Sequence, residues 1–289
     1  MKIGLHISIA GGIENAPKRA KDLGCECFQM FSRSPRGGGY NVALKEEAIK
    51  KFKNECKKYS LIDYYIHSPY YINFASANNK IFFASVTAIK KELETANLIG
   101  AKAVVTHLGS AKDLGEKMAI KKTAEGISMV LEKYNGNAKL LLEISAGSGN
   151  IIGDSFDDIA QIIKKNKNSK YLGVCFDTAH AFASGYDLTT AQRIKNVFTE
   201  FNKKIGLKKL QLIHLNDSKS ELNSHIDRHE NIGEGKIGMV GLQSIVDFAK
   251  RRDLNIIVEL ADGKLNLERL SEIRGGFYPP RLDLIETGI

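Results

Sequence analysis

Eight short apolar runs, with helical patterns between them, restrict this sequence more than any other feature. They fall at 2–7, 25–31, 63–68, 103–108, 139–144, 171–177, 210–216 and 255–260. Each is near-continuous rather than alternating, the pattern of strands buried on both faces of a parallel sheet. Helical periodicity fills the gaps. Ile49, Phe52, Cys56 and Tyr59 lie three or four apart. So do Phe82, Val86, Ile89 and Leu93, and then Ile120, Ala124, Ile127 and Leu131. Further on, Ala191, Ile194, Phe198, Phe201 and Ile205 repeat the spacing, as do Leu242, Ile245 and Phe248. Each set lays one apolar stripe along a helix, with Lys and Glu opposite. The stretches 12–23, 155–166 and 266–274 carry weaker helical patterns.

Strand and helix alternating eight times predict an α/β fold, a (β/α)8 TIM barrel. An open doubly wound sheet is the alternative. No Gly-x-Gly-x-x-Gly follows the first run, which argues against its dinucleotide-binding form. No linker-like or low-complexity segment breaks the rhythm, so 1–289 reads as a single domain, with 277–289 a terminal extension.

A barrel gathers its chemistry at the C-terminal ends of its strands. His6, His67, His107, Glu143, Asp177 and His214 sit at or next to the ends of six runs, and Glu259 closes the last. His180 follows Asp177 by three residues. Of the seven histidines, only His225 and His229 lie elsewhere, in the loop after the seventh run, where Asp227 precedes His229. His67, His107, Glu143, Asp177, His180, His214, Asp227, His229 and Glu259 are therefore expected to converge on one face. Five imidazoles and four carboxylates exceed the needs of proton transfer. They are the ligand chemistry of several zinc-like divalent ions. Without metal, four packed carboxylates would repel one another and raise their own pKa values. Asp227 and His229 could grip one ion. Asp177 and His180 could share an ion or hold two neighbours, and spacing leaves this open. His6 reads as a site-lining residue and His225 as an ordinary loop residue.

Charge and cysteine usage narrow the class further. Lys and Arg number 42 against 33 Asp and Glu, a net charge of +9 that suits a polyanionic partner such as nucleic acid. The four cysteines form no Cys-x-x-Cys pair and read as buried free thiols. No apolar run approaches the ~20 residues that span a bilayer, and the N-terminus does not read as a signal peptide. A cytoplasmic protein is expected.

At these residues the chain resembles the endonuclease IV family of apurinic/apyrimidinic (AP) endonucleases over nearly its whole length. The matching pieces are Gly4-Leu5-His6-Ile7-Ser8 with Gly11-Gly12, His67-Ser68-Pro69-Tyr70, His107-Leu108-Gly109, and Glu143 with Ala146-Gly147. They continue with 174–182 around Asp177 and His180, His214-Leu215-Asn216-Asp217, Asp227-Arg228-His229 and Gly233-Glu234-Gly235. The resemblance implies three zinc ions, with manganese a substitute. His67, His107 and Glu143 would hold the first. Glu143, Asp177, His214 and Glu259 would hold the second, and His180, Asp227 and His229 the third.

The implied reaction is hydrolysis of double-stranded DNA on the 5′ side of an abasic site, leaving a 3′-hydroxyl and a 5′-deoxyribose phosphate. Glu143 and Glu259 are the implied catalytic carboxylates, orienting the attacking hydroxide. Arg33, Arg36 and Tyr70 are the implied DNA contacts. A monomer without an obligate protein partner suffices. The chain departs from the family pattern at Ile144, where Asn is usual, and at Leu260, where Thr is usual. It has no Trp, and Gly37 to Tyr40 replace an aromatic segment. Two other readings share the fold or the partner. One is a metal-dependent sugar isomerase or epimerase of similar barrel fold, and the other a non-catalytic damaged-DNA-binding protein.

Overall fold

The computed structural model describes residues 1–35 and 44–276. The first strand, β1, is Ile3–Ile7, and helix α1 follows at Ala16–Asp22. Then come β2 (Cys27–Phe31), α2 (Glu46–Lys58), β3 (Tyr64–His67) and α3 (Asn79–Ile99). The next units are β4 (Ala103–Thr106), α4 (Glu116–Leu131), β5 (Lys139–Glu143) and α5 (Phe156–Lys165). Strand β6 (Leu172–Asp177) runs directly into a six-residue helix, α6 (Thr178–Ala183), and α7 is Ala191–Lys204. Strand β7 (Leu210–His214) precedes a small hairpin of β8 (Asp217–Ser218) and β9 (His229–Glu230). The chain continues with α8 (Gly238–Arg251), β10 (Asn255–Val258) and α9 (Gly263–Gly275).

Strands β1 to β7 and β10 close into a barrel in chain order, with β10 between β7 and β1 and every pairing parallel. This is the (β/α)8 architecture expected. The eight apolar runs all became barrel strands, but several run on past the strand end. Ile144, Leu215 and Leu108 are fully buried although they lie beyond β5, β7 and β4. The loops at this end fold back over the barrel and are themselves core, so hydrophobicity does not mark where hydrogen-bonded pairing stops. The 12–23 stretch divides into a single 3-10 turn, Ile13–Asn15, and α1.

Alternation along the strands sorts side chains into two layers. Phe28, Met30, Ile66, Val104, Leu140, Leu142, Val174, Phe176, Ile213 and Ile256 face the helices and form the outer core. The opposite set fills the barrel interior. Its lower layer is apolar: Cys27, Tyr65, Ala103, Val105, Leu141, Cys175, Leu212 and Ile257. Two residues further along each strand the same face carries Gln29, His67, His107, Glu143, Asp177, His214 and Glu259. A site of fixed geometry thus stands on a closed apolar plug. The sheet is tight between β1 and β2: a Cβ on Gly4 would lie 1.8 Å from the Cys27 carbonyl oxygen. All four cysteines are buried free thiols, with Cys25 just before β2. No helix among the described residues is long and apolar enough to cross a membrane.

Candidate metal centre

Three groups of side chains at the C-terminal mouth could each hold a cation. His67, His107 and Glu143 form one; Glu143, Asp177, His214 and Glu259 form the second; Asp177, His180 and His229 form the third. Within each group, one ligand atom per residue lies within 4.8 Å of the others. Asp227 joins the third, its carboxylate oxygens 3.2 Å from His180 Nε2 and 3.3 Å from His229 Nε2. Its side chain is 47% exposed, so it forms the outer wall. Glu143 belongs to two groups. One oxygen lies 3.1 Å from His67 Nε2 and 3.6 Å from His107 Nε2; the other lies 3.0 Å from His214 Nδ1. Glu259 reaches the same His214 nitrogen at 3.1 Å, with Asp177 at 3.9 Å. All nine residues expected from the sequence are brought together. His225 stays outside, near Asp154 in an exposed loop.

Different elements deliver these groups. Glu143, Asp177 and His214 are the last residues of β5, β6 and β7, and His67 ends β3. Asp177 also caps α6, accepting from the His180 backbone N–H at 2.8 Å. That cap turns the chain into a helix at once and brings His180 back over the barrel mouth. The third group needs the β8–β9 hairpin, which carries His229. Ser148 braces the same loop, donating to the His225 carbonyl and accepting from the Asp227 N–H.

The imidazoles are oriented for a cation. His67 Nδ1 donates to the Ser68 carbonyl at 2.7 Å, and His180 Nδ1 donates to the Ile144 carbonyl at 3.0 Å. In each ring Nδ1 is thereby engaged and Nε2 is the nitrogen turned toward carboxylates, where a cation can replace its proton, the arrangement of metal-bound histidines. The Ile144 contact uses the backbone only, so the departure from Asn there leaves His180 oriented, and the isoleucine side chain joins the core. Leu260 packs against the core edge and lines the mouth.

Electrostatics depart from the expectation that the packed carboxylates would raise one another's pKa values, because imidazoles compensate them. Among the described residues, every ion pair of Glu143, Asp177, Asp227 and Glu259 is with a histidine. Burial alone would raise Glu143, but His107 and His214 outweigh it and hold its carboxyl well below the usual range. Glu259 is likewise held well below, against burial, by His214. Asp227 is lowered against burial by His180. His180 is pushed up to about 10, because Asp177 and Asp227 overcome the burial that opposes its charge. Burial lowers His107, whose buried Nδ1 has no hydrogen-bond partner. These carboxylates are anionic at neutral pH and converge where the donor set is His and carboxylate, which fits divalent ions of the zinc type.

A cleft of about 490 Å³ opens onto the groups, bordered by His6, Phe31, Tyr70 and Leu260. Tyr70 is 65% exposed there, its ring edge-on to Phe31. Arg33, one of the expected DNA contacts, is engaged within the protein. Its Nε lies 3.3 Å from the buried Glu92 carboxylate and its Nη2 donates to Thr95, leaving the side chain 13% exposed. It anchors the start of its loop to α3. Arg36 and the segment up to Tyr40 lie outside the described residues. A larger groove of about 920 Å³, lined by Ile62, Lys102, Tyr134 and Asn137 among others, lies at the opposite end of the barrel, before β3 to β5, away from the ligand groups.

Comparison with known proteins gives this geometry a family. Residues 17–277 match a family model described as a xylose isomerase-like TIM barrel. The chain is 39% identical to the probable endonuclease 4 of Nitrosopumilus maritimus, covering 90% of this chain and 93% of that one. It superposes on the crystal structure of endonuclease IV from Thermus thermophilus with a TM-score of 0.85, at 30% identity, over 96% of this chain and 100% of the other. The chain belongs to the endonuclease IV family. A D-tagatose 3-epimerase-like protein also superposes, with a TM-score of 0.68 at 20% identity over 96% of this chain and 99% of that one. That likeness shows the barrel alone.

Sequence reading gave no role in the site to three residues that brace it, Gln29, Asn216 and Asp217, although the last two stand in a motif shared with the endonuclease IV family. Gln29 is fully buried and bonds to His6, Glu259 and His214. Asn216 donates to Asp177 at 2.7 Å and accepts from the Glu259 backbone N–H at 3.0 Å, tying two ligands together. Asp217 accepts backbone N–H groups from Ser218, Gly233, Gly235, Ile237 and Gly238, holding the turn beyond β9. Gln29 carried a signal: it is a polar residue in an apolar run, in the phase that faces the barrel interior.

Proposed function

We propose that the chain is a DNA-repair AP endonuclease that hydrolyses the phosphodiester 5′ to an abasic site, using three zinc ions held by the nine residues of the centre. The third group of ligands carries this reading. A sugar isomerase needs one or two ions. Here His180, Asp227 and His229 form a further group beside the pair joined by Glu143, built on α6 and the β8–β9 hairpin.

His67, His107 and Glu143 would hold the first ion, Glu143, Asp177, His214 and Glu259 the second, and His180, Asp227 and His229 the third. Bound there, divalent ions supply a water acidic enough to act as nucleophile near neutral pH and offset charge on the phosphoryl and leaving oxygens. The protein contributes position. Glu143 and Glu259 flank the nucleophile's place and orient it, held by His214 and Gln29. Asp227 and His229 form the outer wall, where the leaving 3′ oxygen is set. Tyr70, at the rim, meets the base stack beside the lesion. Extruding an abasic nucleotide into the cleft costs little, because no base is stacked or paired. The net charge of +9 favours association with the phosphate backbone.

The test is incision of a labelled duplex bearing one tetrahydrofuran abasic analogue, which cannot undergo β-elimination. Protein as purified is compared with chelator-stripped protein given zinc or manganese. A single metal-dependent nick 5′ to the analogue, leaving an extendable 3′-hydroxyl, is expected. No incision with any metal overturns the proposal; tight binding of the uncut duplex would then identify a damage-binding protein.

A further inference from the structure

We infer that Gln29 is a positioning residue of the second metal group: its side-chain amide fixes which atoms of His214 and Glu259 are offered to the cation. The inference rests on the metal-centre reading and extends it to a residue outside the ligand set.

Gln29 lies in the middle of β2, fully buried, with its side chain in the barrel interior. One end of its amide lies 2.5 Å from Glu259 Oε1, and the same atom lies 3.1 Å from His6 Nδ1. The other end lies 2.9 Å from His214 Nε2. Chemistry assigns the amide. An ionised carboxylate only accepts, so the atom against Glu259 is the nitrogen. The amide oxygen therefore faces His214 and accepts a hydrogen bond from Nε2–H.

Two consequences follow. His214 is held with its proton on Nε2, so Nδ1 presents a bare lone pair. That nitrogen is the one 3.0 Å from Glu143 and 3.1 Å from Glu259. Glu259 is divided as well: Oε1 is engaged by the amide, and Oε2 is the oxygen turned toward His214 Nδ1. One amide thus selects the ligating atom of two ligands at once. Hydrogen bonds of this kind to metal ligands are worth about 10–100-fold in metal affinity. The same amide nitrogen donates to His6 Nδ1, which places the His6 proton on Nε2. That nitrogen is buried without a partner beside the cleft.

His67 and His180 obtain the equivalent service from the backbone carbonyls of Ser68 and Ile144. Of these three rings, His214 is the one whose outer nitrogen is held by a side chain, so its orientation is open to a substitution.

The test compares wild type with Gln29→Met, which keeps an unbranched side chain and removes both polar ends. Met30→Leu, a change on the opposite face of the same strand, controls for general disturbance of β2. Zinc per chain is measured by elemental analysis after dialysis against graded chelator. Long-range proton–nitrogen spectra of the histidines of the zinc-loaded wild type report the tautomer of His214.

We expect wild type and Met30→Leu to retain three ions over the same chelator range. Gln29→Met should release one of the three at about 10–100-fold lower chelator strength while keeping the other two. The spectra should show His214 carrying its proton on Nε2. Equal retention of all three ions by Gln29→Met, or a His214 proton on Nδ1, overturns the inference and leaves the metal-centre reading standing. Wild-type protein that binds no metal overturns both. The tautomer measurement needs no variant, so misfolding of Gln29→Met does not shield the inference.

Discussion

Glu259 has two oxygens in different surroundings, and the difference sets what its replacement should do. Oε1 accepts from Gln29, and Oε2 faces His214 Nδ1. Glu259→Gln keeps the volume but removes one negative charge from the second group, and its amide cannot satisfy both sides. An NH2 toward Gln29 meets another donor, and an NH2 toward the cation cannot ligate. Turnover should fall by at least about 100-fold, more than the loss usual for a residue that only supports a ligand. The basic surface and Tyr70 are untouched, so binding of abasic duplex should stay within a few-fold of wild type. Single-turnover incision and equilibrium binding on the same duplex separate the two quantities. Near-normal turnover would remove Glu259 from the chemistry. Seven of the nine candidate ligands were legible because each is a polar residue closing an apolar run or following one closely; Asp227 and His229 were legible as a pair two residues apart in the loop after the seventh run. Gln29 and Asn216 were less visible, because their amides carry no charge and their contacts cross the barrel.

Among the secondary-structure elements, the β8–β9 hairpin is the piece the sequence did not announce. Two-residue strands have no periodicity to detect, and 215–237 is rich in polar residues and glycine, the composition of an ordinary loop. The eight barrel strands were legible as near-continuous apolar runs and the longer helices as apolar stripes at three- and four-residue spacing, whereas α6 is a single helical turn and a half set by the Asp177 cap. Asp217 shows how the hairpin is made rigid. Its buried carboxylate accepts from Gly233, Gly235 and Ile237, each at 3.0 Å, and from Ser218 at 2.8 Å. The fit is close, since a Cβ on Gly235 would lie 2.5 Å from the same carboxylate. Asp217→Asn would turn one acceptor into a donor facing backbone N–H groups. Leaving buried donors unpaired costs roughly 1–3 kcal/mol each; with partial access to water, a total near ~2 kcal/mol is expected. The effect should be local: faster amide exchange at Gly233 and Gly235, and weaker zinc retention in the group that includes His229. Unchanged exchange and unchanged zinc content would show that the hairpin does not depend on this carboxylate.

For the molecule as a whole, the centre links metal, protons and stability. With no cation present, the carboxylates are compensated by imidazolium rings, which is why His180 is raised to about 10 and His67 is raised by Glu143 against its burial. Cations compete with those protons, so loading must expel them and affinity must rise with pH. The metal-free chain has the opposite trend. A histidine whose folded pKa of about 10 exceeds its ordinary 6.5 contributes stability that is complete below about pH 6.5. That contribution is lost as pH climbs through about 10. Stripping the ions should therefore destabilise the protein at every pH above 6, and more at pH 9 than at pH 6. One site at a thousandfold excess of metal over its Kd contributes about 4 kcal/mol, and a chain of this size moves by roughly 2–4 °C per kcal/mol. The gap in Tm between loaded and chelator-treated protein should be on the order of 10 °C or more near neutrality and should widen toward pH 9. Calorimetry at pH 6, 7.5 and 9, with and without chelator, measures it. A gap that closes with rising pH would mean that the imidazoles do not exchange protons for metal, and would count against the nine residues as ligands.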